Sequence, residues 1–176
     1  MTRWGPVARS ACLLMAAAAA AAGVASAQAS PSACPTSGLV VWLNTTGNGA
    51  AGSSYYNLEF TNLGRSACAL YGYPGVSAVD LAGAQLGRAG TRDAVHRAST
   101  VTLAAGATAH AVLRIVDAAN YPGSACGQVT AAGIRVYPPG QRAAKVVPFP
   151  FAACSRSRPS ILSVEAVQKG FGGSAG

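Results

Sequence analysis

Along this chain the apolar positions recur with a period of two far more often than with the period of a helix. Residues 55–61 alternate: Tyr56, Leu58 and Phe60 share one face, and Tyr55, Asn57, Glu59 and Thr61 share the other. That is the signature of a strand with one buried side. Residues 109–116 repeat it, with Ala109, Ala111, Leu113 and Ile115 opposed to His110 and Arg114. Shorter apolar runs at 39–43, 69–73, 76–81, 85–88, 101–103, 134–137, 146–149 and 162–167 are divided by turn formers, among them Thr45-Thr46-Gly47-Asn48-Gly49, Pro74-Gly75, Ala82-Gly83-Ala84 and Pro138-Pro139-Gly140. Connections this short suit antiparallel pairing, and no helical pattern is long enough to bridge parallel strands. The pattern predicts an all-β chain folded as a single antiparallel β-sandwich. Pro148 and Pro150 cannot donate to a ladder, which predicts a sheet edge for their strand. Residues 117–127 read as a loop, since they carry Asn120, Pro122 and Gly123.

The start of the chain follows different rules. Arg3 and Arg9 flank an apolar run over 11–22, and small residues then lead to Ala25-Ser26-Ala27. This reads as a signal peptide, residues 1–27, cleaved before Gln28. Its apolar stretch is mostly alanine and too weakly hydrophobic for a membrane anchor, so no transmembrane segment is expected after cleavage. The expected organisation is a signal peptide at 1–27, a flexible segment at 28–33, a β-sandwich domain at 34–168 and a disordered tail at 169–176. Export also resolves the cysteine arithmetic. Of five cysteines, Cys12 leaves with the leader, and Cys34, Cys68, Cys126 and Cys154 remain. An even number in an exported chain points to disulfides. A zinc site would need close-spaced pairs, which are absent from this sequence.

Strand register selects among the three possible pairings. If 39–43 and 55–62 form a hairpin, continuing both strands outward brings Cys34 to Cys68. Pairing 134–137 with 145–149 in the same way brings Cys126 to Cys154. The expected bonds are therefore Cys34–Cys68 and Cys126–Cys154.

Charge and chemistry narrow the function classes. The 176 residues hold 13 Lys and Arg against 5 Asp and Glu, with two histidines, His96 and His110. So few acids and imidazoles exclude most carboxylate-pair, metal-cluster and histidine-based catalysis unless those residues converge. Gly47-Asn48-Gly49-Ala50-Ala51-Gly52 matches the spacing of a dinucleotide fingerprint, but a strand follows it where a phosphate site needs a helix; it reads as a turn. Gly172-Gly173-Ser174-Ala175-Gly176 matches a nucleophile elbow in letters only, at the end of a tail. No catalytic residue, cofactor or metal is expected. Residues 87–97 gather Arg88, Arg92, His96 and Arg97 against the single acid Asp93. Such a loop suits an anionic polymer. Lacking aromatic residues between its cations, it does not suit nucleic acid. Tyr71 and Tyr73, beside a Pro-Gly turn, are candidate exposed rings. Tyr71, Tyr73, Arg88, Arg92 and Arg97 together form the candidate binding surface.

A resemblance runs through these same residues. Gly52-Ser53, Tyr56, Leu58, Phe60-Thr61-Asn62-Leu63-Gly64, then Cys68-Ala69-Leu70-Tyr71-Gly72-Tyr73-Pro74-Gly75-Val76, then Val101-Thr102-Leu103-Ala104-Ala105-Gly106 and the late Cys126 and Cys154 resemble the actinobacterial secreted and lipoprotein family called domain of unknown function 4232. The resemblance implies an immunoglobulin-like sandwich with disulfides, exported, and it implies no reaction. Many members of that family resemble lipoproteins. Here Cys34 follows Pro31-Ser32-Ala33 and Cys12 lies inside the apolar run, so neither makes a good lipid-attachment site.

The expected function is that of an extracellular, non-catalytic domain, released or held at the cell surface, that binds an anionic cell-wall polymer or another exported protein. The alternative is a secreted protease inhibitor with a reactive loop around Ala119-Asn120-Tyr121-Pro122. A hydrolase using His110 with Asp117 or Asp93 ranks third.

Overall fold

The computed structural model describes residues 1–2, 4–5 and 30–173; the signal-peptide reading of 1–27 lies almost wholly outside them. Twelve strands carry the fold: β1 (Leu39–Ala50), β2 (Ser53–Asn62), β3 (Cys68–Tyr71), β4 (Gly75–Val79), β5 (Gln85–Leu86), β6 (Thr91–Asp93), β7 (Thr100–Leu103), β8 (Thr108–Val116), β9 (Gln128–Tyr137), β10 (Lys145–Cys154), β11 (Leu162–Glu165) and β12 (Gln168–Lys169). One sheet has the order β1-β2-β8-β11-β6, with β12 also on β8; a second has the order β10-β9-β4-β5; β3 and β7 form a separate ribbon. Every pairing between strands is antiparallel except β11 with β6. The architecture is an antiparallel β-sandwich of the immunoglobulin kind. Strands β1, β2 and β8 stand where A, B and E stand in that fold, and β10, β9, β4 and β5 where G, F, C and C′ stand.

Alternation explains the core. From β2 and β8, Leu58, Phe60, Ala109, Ala111 and Leu113 are sealed from solvent; from β9 and β4, so are Ile134, Val136, Val76 and Ala78. Leu162 and Val164 of β11 join the same cluster. The fingerprint-like glycine stretch runs up β1 into a two-residue hairpin. Ala51 and Gly52 both have positive φ, 46° and 72°, the turn whose twist matches the strands it joins.

Strand β10 lies at the edge of its sheet, where Pro148 and Pro150 place it. Its register with β9 shifts between Pro148 and Phe151, and beside that shift Gly133 pairs with Pro148. A Cβ on Gly133 would stand 2.5 Å from the Val147 carbonyl oxygen, so backbone comes closest where no side chain intervenes. Gly133→Ala is expected to lower the unfolding free energy by about 2 kcal/mol. Urea denaturation checks this, and an unchanged midpoint contradicts the contact.

Both disulfides form as the registers imply. Cys34–Cys68 and Cys126–Cys154 have Cα separations of 4.8 and 4.6 Å. Leu39 pairs with Asn62, inside the first bond. Cys154 pairs with Gln128, two residues past Cys126. The predicted loop at 117–127 holds a short turn at Ala118–Asn120 and a one-turn helix, α1, at Gly123–Cys126.

The two chain ends depart from the sequence expectation. Within the segment read as flexible, Ala33 bridges to Ala69 and the Ser32 carbonyl accepts from the Ala69 amide at 2.8 Å. Ser32 and Ala33 are thus tied to the ribbon beside the first disulfide. Within the segment read as a disordered tail, Lys169 belongs to β12, and Gly170, Phe171, Gly172 and Gly173 lie across the outer face of β1, β2 and β8. Polar side chains on that face bind the tail's backbone. A contact of this kind needs no apolar pattern in the tail itself.

Candidate functional site

Two surfaces concentrate chemistry. The first is the arginine edge. Tyr73 follows β3, and Arg92 lies in β6; the Arg92 guanidinium stands over the Tyr73 ring, 5.5 Å from its centroid. Stacking of this kind holds a cation in place while leaving its charge available. The Tyr73 hydroxyl donates to the His96 carbonyl at 3.4 Å, and His96 Nε2 lies 3.6 Å from Glu165 Oε2. Parallel pairing of β11 with β6 places Asp93 beside Glu165. Burial raises the Glu165 carboxyl above its ordinary value; His96 opposes this, Asp93 adds to it, and His110 opposes it.

Of the five predicted surface residues, the structure joins Tyr73 and Arg92 directly. Tyr71, 64% exposed, ends β3 opposite Thr100. Arg88 and Arg97 are exposed on either side of β6. Among the described residues none of the three arginines has a carboxylate within ion-pair distance. Sequence reasoning missed Glu165 as the acid facing this edge. It lies 69 residues from His96, and only the β11–β6 pairing brings it there.

The second surface lies on the outer face of the larger sheet, beneath the C-terminal segment. Register sets Trp42, Glu59 and His110 in one row across β1, β2 and β8, and Asn44 beside Asn57 in the next. The tail meets every one of them. His110 Nδ1 is 2.9 Å from the Gly170 carbonyl oxygen and donates to it in the Nδ1-protonated tautomer. Asn44 Nδ2 donates to the Gly172 carbonyl at 3.2 Å, and Asn57 Nδ2 to the Gly173 carbonyl at 2.6 Å. The Gly172 amide donates to Glu59 Oε1 at 3.0 Å. Phe171 stacks on Trp42 with ring centroids 5.9 Å apart.

Covered in this way, Glu59 is 0% exposed, and its Oε2 has no hydrogen-bond partner among the described residues. Burial pushes its carboxyl up to about 7, against the opposing pull of the Gly172 amide. The sequence does hold a signal for this site, namely an aromatic residue set among glycines directly after the last strand.

The remaining candidates are placed as follows. His110 and Asp117 are seven residues apart, at one position within β8 and one just beyond it. That is more than about 20 Å along an extended chain, and His110 is bound to the tail. Of the inhibitor-loop residues, Ala119 and Asn120 lie in a short helical turn, while Tyr121 and Pro122 are extended between that turn and α1; Asp117 caps the turn by accepting from the Ala119 amide at 3.0 Å, and Asn120 Nδ2 donates to the Gly52 carbonyl at 2.8 Å. An open cleft of about 430 Å³ lies between the β1–β2 turn and β10, beside Tyr56, Phe149 and Phe151. No group of three or more His, Cys, Asp or Glu is arranged to hold a metal among the described residues, and none of their helices is long and apolar enough to cross a membrane.

Two layers in immunoglobulin order, held by two disulfides, define a disulfide-bonded β-sandwich domain. The family model described as "Domain of unknown function (DUF4232)" matches residues 34–168, and the chain belongs to that family. No curated protein and no solved structure matches it.

Proposed function

We propose that the protein is an exported, non-catalytic binding domain of the cell envelope whose arginine edge holds an anionic wall polymer or an acidic exported protein. The observation that carries this reading is the set of exposed guanidiniums of Arg88, Arg92 and Arg97, unpaired among the described residues, with Arg92 held on Tyr73. Fixed cations with no internal partner attract polyanions, and screening weakens that attraction as salt rises. Two disulfides fit an oxidising compartment, and the leader would deliver the chain there.

The mature chain is expected to bind purified cell wall in a pull-down at low salt and to be released as salt increases. Arg88/Arg92/Arg97→Ala is expected to reduce retention at least about tenfold, since each lost contact with an anion weakens binding. Equal retention of both forms rules out this edge. Intact mass of the exported protein is expected to place its N-terminus at Gln28, and an uncleaved chain contradicts the leader assignment.

A further inference from the structure

The strip beneath the C-terminal segment differs from an ordinary strand face in what it contacts. Four hydrogen bonds reach the tail over Gly170, Gly172 and Gly173, and all four go to its backbone. Side chains that read backbone in this way accept any chain that can lie flat enough and extend far enough. Two positions add selectivity. A Cβ on Gly172 would overlap the Asn57 amide, so that position demands glycine, and the ring before it rests on Trp42.

The hold on the tail is also incomplete. Phe171 remains 59% exposed, so little apolar surface secures it. Among the described residues Glu59 Oε2 is buried without a hydrogen-bond partner, a deficit that costs stability. Residues 170–173 lie across the face of the sheet and join no ladder, so their departure breaks no pairing among the described strands.

We propose that Trp42, Asn44, Asn57, Glu59 and His110 form a peptide-binding site that the chain's own residues 170–173 occupy in cis, and that its exchangeable ligand is an extended, glycine-rich segment of a partner polypeptide carrying one aromatic residue. A partner that adds a hydrogen-bonding group facing Glu59 Oε2 supplies what residues 170–173 do not. All five side chains lie inside the matched region 34–168, and the occupant lies after it. The site shares no residue with the arginine edge, so either assignment can fail without the other.

Trp42 makes the test direct. The chain has two tryptophans, Trp4 and Trp42, and only Trp42 remains once the leader is removed. The full mature chain carrying Gly172→Val is expected to release its own tail and shift Trp42 emission to the red. Adding a synthetic peptide of residues 169–176 should reverse that shift saturably. The same peptide with valine in place of Gly172 should bind at least about tenfold more weakly, as should the wild-type peptide to a chain that also carries Asn57→Ala.

No saturable change up to millimolar peptide, or equal binding of the valine peptide, overturns the proposal. Wild-type protein supplies a second arm that does not depend on the variant folding. Excess peptide should unseat the resident tail and speed hydrogen exchange at the Gly172 amide; unchanged exchange counts against the site. Wild-type dimers that Gly172→Val abolishes would assign the site to a second copy of the chain and overturn the partner-polypeptide assignment.

Discussion

Cys126→Ala with Cys154→Ala is expected to lower the unfolding free energy by between about 3 and 4 kcal/mol, and the Cys34/Cys68 pair of substitutions by a similar amount. The bonds close loops with separations of 28 and 34 residues. In the chain-entropy model, loops of that size constrain the unfolded chain by about this much. The similar lengths predict similar losses, so any difference reports on native contacts. Cys126 and Cys154 are both buried, and their bond joins α1 to the last residue of β10. Its removal also leaves two small voids in the core, which adds to the cost. Cys34–Cys68 ties the entry segment to the two-stranded ribbon of β3 and β7, so its loss should loosen that ribbon first. Urea unfolding of each double variant, with disulfide-intact wild-type protein as reference, measures both quantities. A loss below about 1 kcal/mol at either pair would mean that the reduced chain keeps these ends together by packing alone.

These same registers show where local sequence carries enough information. Alternation over Tyr56, Leu58 and Phe60, and over Ala109, Ala111 and Leu113, puts the buried face of the first sheet beyond dispute, because a slip of one residue would expose every one of them. Once two hairpins are in register, the cysteines that extend them have one geometry left. Pro148 and Pro150 mark an edge for the same reason: a missing N–H can be tolerated only there. Beyond such local rules legibility falls away. Strands β6 and β12 span three and two residues, too few for a period, and they exist because β11 and β8 offer unpaired backbone. The arginine edge was legible as a charge cluster, while the contact of Arg92 with Tyr73 and the approach of Glu165 to His96 depend on chain crossings. The tail escaped for a related reason. Its glycines present no apolar pattern, and its bonds to Asn44, Asn57 and Glu59 span more than 110 residues. Alternation correctly put Asn57 and Glu59 on the polar face, but it could not reveal that the chain returns to cover that face.

That return makes Glu59 a main contributor to the pH response, and Glu59→Gln is expected to stabilise the protein above neutral pH by between about 1 and 3 kcal/mol and to destabilise it by about 1 kcal/mol below pH 4.5. The carboxyl rises from 4.5 to about 7 on folding, chiefly through burial. Between those values the folded state holds a proton that the unfolded state has lost, so stability falls as pH increases through this window. One pKa unit corresponds to about 1.4 kcal/mol. The full shift therefore amounts to roughly 3 kcal/mol by pH 8, and the glutamine variant avoids it. Glutamine keeps an oxygen for the Gly172 amide but buries an amide nitrogen where Oε2 has no partner, which offsets about 1 kcal/mol or more of the gain.

The neighbours facing Glu59 are Trp42 on β1, His110 on β8 and Gly172 above. Of these His110 alone has an ionisable side chain, and Glu165 on β11 and Lys169 on β12 carry further charges along the sheet. His110→Gln is therefore the control: the slope between pH 4.5 and 7 should survive it and be markedly reduced in Glu59→Gln, with the raised Glu165 carboxyl supplying what remains. Unfolding by urea at pH 4.5, 6 and 8 reads the difference directly. Parallel pH profiles for wild type and Glu59→Gln would show that Glu59 is solvated in solution and that the tail does not stay on the sheet.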